Sequence, residues 1–214
     1  MEGLIGRKLG MTQVHDASGA RVPVTVIEAG PCVVVQRKTA DTDGYEALQL
    51  GYGDIKPGRL TKPARVRFEK GGLPPKRVLA EFRVPAGTAA KAGDVLTVAL
   101  FEGATHVDVT GVTKGRGFQG VVRRHGMSGG RMTHGGHSKR RVGSIGMKTW
   151  PARVAKNKRL PGHMGHVRAT QQNLRIEKIM GDRNLLLLRG AVPGPTGSVV
   201  LVRKARKKAG KKTG

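Results

Sequence analysis

Acidic residues are scarce in this chain. Its 214 residues hold 14 Asp and Glu against 40 Lys and Arg, a formal charge of +26 at neutral pH, so the polypeptide repels itself until a polyanion neutralises it. Nucleic acid is the first partner such a balance points to. Long apolar runs are missing as well. None reaches the roughly 18 residues that a membrane-spanning helix needs, and the opening Met1-Glu-Gly-Leu-Ile-Gly-Arg-Lys8 has neither the basic start and apolar stretch of a secretory signal nor the Arg/Ser-rich character of an organelle presequence. A cytoplasmic location with no membrane partner is the expectation. There is one cysteine, Cys32, which excludes a disulfide within the chain. Its place between Pro31 and a valine run suits a small buried core residue. Aromatic residues make up 3% and hydrophobic residues 37%, enough aliphatic material for one modest core with extensions.

The apolar residues that are present alternate with polar ones at the period of strands. Val22 to Glu28 and Cys32 to Arg37 are two such segments, separated by the turn Ala29-Gly30-Pro31. Asp16-Ala-Ser-Gly19 and Asp41-Thr-Asp-Gly44 add turn chemistry, and Tyr45 to Tyr52 follows as a strand. Further strands are predicted at Asp94 to Phe101, His106 to Thr110, Leu174 to Ile179, Asn184 to Arg189 and Ser198 to Arg203. Pro63 suits the first turn of a short helix that Gly71-Gly72 would stop. A mainly β fold results, a barrel or sandwich with few short helices, whose strands lie at both ends of the chain.

The middle is different. From Val109 to Ile176 there is no Asp or Glu, while Lys and Arg recur and Gly is frequent. Few aliphatic residues follow Val122, so little in the segment offsets the entropy of ordering it unless a partner supplies contacts. A long glycine-rich extension inserted into the strand-rich domain is expected. Lys and Arg there would neutralise phosphates, glycines would let RNA approach the backbone, and His, Trp and Phe would stack on bases or ribose. The terminal run from Arg203 to Gly214 reads as a basic tail. A nucleoid-type DNA-compacting protein would also carry such a tail, but it would not need a strand-rich domain interrupted by a glycine-rich insertion.

Three other chemistries are weighed on the same residues. Gly115, Gly117 and Gly120 form a G-x-G-x-x-G after a strand, yet a glycine-rich run stands where a helix should open, and no acid lies about 20 residues on to hold a ribose. The pairs His134/His137 and His163/His166 could supply four zinc ligands. Lys139, Arg140 and Arg141 crowd the first pair, and no carboxylate or cysteine is near either one. Catalysis by a histidine base would lack its orienting acid. The reading is therefore no enzyme, no metal, no cofactor and no small-molecule substrate.

The segment from Asp108 to Arg124 resembles the signature of large-subunit ribosomal protein three: an acid, then Gly111, Thr113, the turn Gly115-Arg116-Gly117, Gly120 and Arg124. The opening Gly3-Leu-Ile-Gly-Arg-Lys-Leu-Gly-Met-Thr-Gln13, with Gly30-Pro-Cys32, Gln36-Arg-Lys-Thr39, Gly143-Ser-Ile-Gly146, Pro161-Gly-His-Met-Gly165 and Gln172-Asn-Leu174, is similar to other motifs of that family, so the likeness covers nearly the whole chain. Its length resembles the bacterial type. The resemblance implies a six-stranded translation-protein-type β-barrel from residues 1–112 and 167–203, with a short helical insertion near 61–82. It also implies an extended RNA-penetrating loop at 113–166, and leaves 204–214 as the tail. It implies a structural constituent of the large ribosomal subunit that binds large-subunit RNA near its 3′ end, acts early in assembly, and lies beside large-subunit proteins fourteen and nineteen. The loop tip, around Gly146 to Pro151, would approach the peptidyl transferase centre.

Candidate RNA-binding residues are Lys114, Arg116, Arg123, Arg124, Arg131, Lys139, Arg140, Arg141, Lys148, Arg153, Lys156, Lys158, Arg159 and Arg168, with His125, His134, His137, His163, His166 and Trp150 as stacking or hydrogen-bonding partners. Where many bacterial relatives carry a methylated glutamine after Gly-Ser-Ile-Gly, this chain has Met147, so that modification is not expected.

Overall fold

The computed structural model describes residues 3–85, 87–88 and 90–208. Six strands close into an antiparallel barrel: β1 (Gly3–His15), β2 (Arg21–Ala29), β7 (His106–Val112), β10 (Arg168–Met180), β11 (Leu185–Arg189) and β12 (Val199–Lys204). Around the barrel the order is β1-β12-β7-β10-β11-β2. A four-stranded sheet of order β5-β4-β3-β6 is built from β3 (Cys32–Lys38), β4 (Ala47–Asp54), β5 (Lys76–Arg83) and β6 (Val95–Leu96). A two-stranded ribbon pairs β8 (Gly117–Gln119) with β9 (Gly162–Met164). Three short helices occur among the described residues: α1 (Ala40–Asp43), α2 (Lys62–Lys70) and α3 (Val121–His125). The closed six-stranded barrel agrees with what the family resemblance implies, where alternation alone left barrel and sandwich open.

Alternation is the physical origin of the barrel. In β12, Val200 and Val202 are buried while Val199 and Arg203 are exposed. Leu4, Ile5, Ile27, Val107, Val109, Leu186 and Leu188 meet them from the other strands, and one continuous core joins these to Val34, Leu48, Leu50, Phe82 and Phe101. Cys32 is part of that core. Its thiol donates to the Ile5 carbonyl at 3.3 Å, and burial pushes its pKa up to about 11. Lys8 is buried too, its ammonium donating to the carbonyls of Val192 at 2.8 Å and Gly194 at 3.0 Å. Those bonds tie β1 to the connection between β11 and β12.

The structure departs from the sequence reading at several elements. β1 is not among the strands expected from alternation, because its glycines and cations interrupt the apolar period. One of these glycines, Gly6, is there for close approach: a Cβ would stand 2.7 Å from the Glu28 carbonyl on the paired strand. Asp94 to Phe101 is not one strand. Pairing stops at Leu96 and a 3₁₀ turn covers Val98–Phe101, which points Val98 and Phe101, three residues apart, into the same core. The turn predicted at Asp41 is the single helical turn α1, ended by Gly44 in the left-handed region. β5 was missed because its ends are charged, yet Lys76 pairs with Asp54 at 2.6 Å across the sheet. α2 starts after Thr61 with Pro63 in its first turn and stops at Gly71, as the sequence suggests. β12 runs through Lys204, and the next residues stay tied, Ala205 N–H to the His106 carbonyl and Arg206 N–H to the Asp108 carboxylate. The remainder of the predicted tail, 209–214, lies outside the described residues.

The chain divides into two compact units, Met1–Val112 with Arg168–Gly214, and Thr113–Val167. The first contains the barrel and the four-stranded sheet. Within it, β7 and β10 pair from Arg168↔Val112 to Gln171↔Val109, so the ladder ends where the second unit begins and ends in sequence.

Candidate nucleic-acid interface

The unit Thr113–Val167 is held by its backbone more than by a core. At its base Thr113 N–H donates to the Val167 carbonyl at 2.9 Å, and Val167 N–H returns a bond to the Thr113 hydroxyl at 3.3 Å. The ribbon follows, with Phe118 opposite His163 and Arg116 N–H on the Met164 carbonyl at 2.9 Å. Gly165 makes the turn into this pairing possible. Its φ is +78°, and any Cβ would collide with the Lys114 carbonyl. The helix α3 opens on Gly120 and closes on Gly126 in the left-handed region, correcting the expectation that no helix begins there. At five residues it is a little more than one turn, and Val121 is the one buried residue of the unit.

Twenty residues were singled out from sequence, and the structure sorts them. Arg124 and His125 are half-buried and act inside the unit: Arg124 Nη1 donates to the Leu160 carbonyl at 2.7 Å, and His125 Nε2 lies 3.1 Å from the same oxygen. Since a carbonyl can only accept, Nε2 carries the proton of that bond. Arg123 is exposed and reaches Gln119 at 3.4 Å. Lys114, Arg116, Arg131, Lys139, Arg140, Arg141, Lys148, Arg153, Lys156, Lys158 and Arg159 are all exposed, as are His134, His137, His163, His166 and Trp150. Among the described residues no cation of this unit has an acidic partner, every ion pair being formed within the first unit. Nor do any three His, Cys, Asp or Glu side chains come together there in a metal-binding group. Arg168 stands apart from the others, being the first residue of β10 and part of the barrel unit.

Exposed apolar side chains accompany the charge. Trp150 is 84% exposed, Phe118 77% and Met147 75%. Ile145, Met147, Pro151, Val154 and Ala155 line an open cleft of about 920 Å³ with Arg153, Lys156 and Lys158 among its other walls. Cations attract phosphate and flat apolar faces stack on bases, so the combination has the chemistry of an RNA-binding surface.

The sequence reading missed a second basic group. On the barrel unit, Arg83, Arg168, Arg203, Lys204 and Arg206 line one cavity of about 450 Å³. Only Arg168 of these had been selected, because the others lie far apart in sequence and meet where the end of β5 packs on the barrel, with Phe82 beneath the Arg203 guanidinium.

Residues 69–184 match the family described as Ribosomal protein L3. The chain is 49% identical over 208 residues to a protein of Corynebacterium jeikeium (strain K411), covering 97% of this chain and 95% of that one. It is 50% identical over 202 residues to one of Alkaliphilus metalliredigens (strain QYMF), covering 94% and 96%. With one of Brachyspira pilosicoli it shares 47% identity over 212 residues, covering 99% and 97%. Each of the three is described as large ribosomal subunit protein uL3. With such identity along nearly its entire length, the chain belongs to the ribosomal protein L3 family.

Proposed function

We propose that the chain is an RNA-binding structural constituent of the large ribosomal subunit, and that it binds large-subunit ribosomal RNA near the 3′ end early in assembly. Family membership makes it a ribosomal protein and not an enzyme. The observation that carries the RNA reading is the unit Thr113–Val167: thirteen Lys and Arg and no acid, with a single buried residue. Such a segment gains little from its own packing and much from phosphate. The barrel docks on the RNA surface, and residues 113–166 order between RNA helices as Arg116, Arg123, Arg131, the Lys139 to Arg141 cluster and Lys156 to Arg159 meet phosphates. Arg124 and His125 shape the segment from within. The tip, from Gly146 to Pro151, approaches the peptidyl transferase centre, with Trp150 stacked on or wedged against RNA. Met147 has no side-chain amide, so the tip carries no methylated glutamine. Proteins fourteen and nineteen of the large subunit are its neighbours, and the cytoplasmic ribosome is its location.

Footprinting of protein-free large-subunit RNA with the purified chain tests the proposal. Protection concentrated toward the 3′ end supports it. An RNA equally reactive with and without the chain at low salt contradicts it.

A further inference from the structure

We infer that the barrel carries a second RNA-phosphate site, formed by Arg83, Arg168, Arg203, Lys204 and Arg206 around one cavity. The inference rests on the RNA-binding reading above and deepens it, naming the residues, from the barrel and from the end of β5, through which the first unit meets RNA. Five cations line this cavity with one acid, Asp108. They come from the end of β5, the start of β10, the end of β12 and the residue two beyond it.

Among the described residues none of these cations forms an ion pair, and the Arg83 guanidinium lies over the ring of half-buried Tyr45, 5.7 Å from its centroid. Arg203 is the register partner of Asp108, the natural place for an ion pair, yet none is formed there among the described residues. The Arg203 guanidinium instead lies over the ring of buried Phe82, 5.1 Å from its centroid. The Asp108 carboxylate is occupied by backbone. One oxygen accepts from Asn173 N–H at 2.8 Å, and the other accepts from Arg206 N–H at 3.3 Å. That second bond holds the chain beyond β12 at the rim of the cavity. Thr110 and Thr170, whose hydroxyls are 2.8 Å apart across the β7–β10 pair, add a polar wall.

The chemistry selects the ligand class. A net positive cavity with guanidinium groups from several elements suits phosphate oxygens. Four of the five cations are exposed and Lys204 is half-buried, an arrangement that follows a polymer backbone and does not enclose a free ion. The commitment is therefore to RNA phosphodiesters. Phosphate contacts of this kind position without reading sequence.

The test uses the full chain with Arg83→Gln, Lys204→Gln and Arg206→Gln combined. Arg203 is left in place to keep its packing on Phe82. Binding to a large-subunit RNA fragment is measured across a salt series, beside the same three positions changed conservatively (Arg83→Lys, Lys204→Arg, Arg206→Lys) as a control for folding and charge. The glutamine variant should lower the salt slope of log K by about 3, roughly one per phosphate contact removed, and the conservative variant should keep the parental slope. A parental slope in the folded glutamine variant, with the parent binding RNA normally, overturns this site and leaves the RNA-binding reading intact. A parent that does not bind RNA at all overturns both. Titration of the parent with inorganic phosphate at constant ionic strength distinguishes the source. No saturable binding is expected, and a saturable site lost in the glutamine variant would replace the RNA contact with a free-anion site.

Discussion

Replacing Lys139, Arg140 and Arg141 together by glutamine removes three charges from the acid-free unit without removing bulk. All three side chains are exposed and none has an acidic partner among the described residues. The bonds that shape this turn run from Gly130 N–H to the Lys139 carbonyl and from Arg141 N–H to the Ser138 carbonyl. Both are backbone bonds that glutamine keeps. Folding stability should therefore change by less than about 0.5 kcal/mol, the ordinary range for surface substitutions. RNA binding should change much more. A phosphate contact contributes about −0.9 to the slope of log K against log salt on a duplex and about −0.7 on a single strand, so losing three flattens the slope by roughly 2 to 3. Between 50 and 200 mM salt, a fourfold rise, the parent should then lose about 20 to 40 times more affinity than the variant. Fluorescence anisotropy with a labelled large-subunit RNA fragment measures this, with circular dichroism melts as the stability control. A variant that melts like the parent and shows the parent's salt slope would refute the assignment of this cluster to phosphate.

Trp150→Ala should leave the melting temperature unchanged, since the ring is 84% exposed, but should alter chemical probing of RNA around the peptidyl transferase centre in ribosomes that carry it. Unchanged probing would remove the stacking role. Leu188→Ala empties a fully buried position of the barrel core and should cost about 2–5 kcal/mol in denaturant unfolding, the usual range for such truncations. Cys32 should resist alkylation at pH 8 in the native chain and react on unfolding. Because its thiol pKa rises from 9.0 to about 11 on folding, the folded state holds the proton longer. The associated stability is complete below pH 9 and is lost as pH climbs toward 11. A Cys32→Ala variant whose stability falls as steeply as the parent's over that window would contradict this.

How much could be read in advance follows from which residues carry their own signal. β2 and β12 alternate apolar and polar residues, a period visible without neighbours, and the four consecutive leucines of β11 mark a strand with apolar contacts on both faces. β1 and β5 depend on partners: Gly6 is meaningful only against the Glu28 carbonyl, and Lys76 only against Asp54. The Val98–Phe101 turn is apolar enough to resemble a strand, and only its three-residue spacing into the core shows otherwise. At the candidate site, the absence of acids marked residues 109–176 directly. What sequence could not sort was which cations bond within the segment. Arg124 and His125 look like their neighbours until Leu160 is placed beside them. The barrel cavity was illegible for the same reason, since the packing of β5 on the barrel and the tie of Arg206 to Asp108, not sequence proximity, gather Arg83, Arg203 and Arg206.

The central claim is that this chain is an integral, RNA-held part of the large subunit. Sedimentation of a tagged chain from lysate through a high-salt sucrose gradient, beside an RNase-treated aliquot, tests it most directly. The expected result is co-migration with the large-subunit peak, lost only after RNase. A chain that trails through the free fractions, or that follows DNA, would contradict the claim.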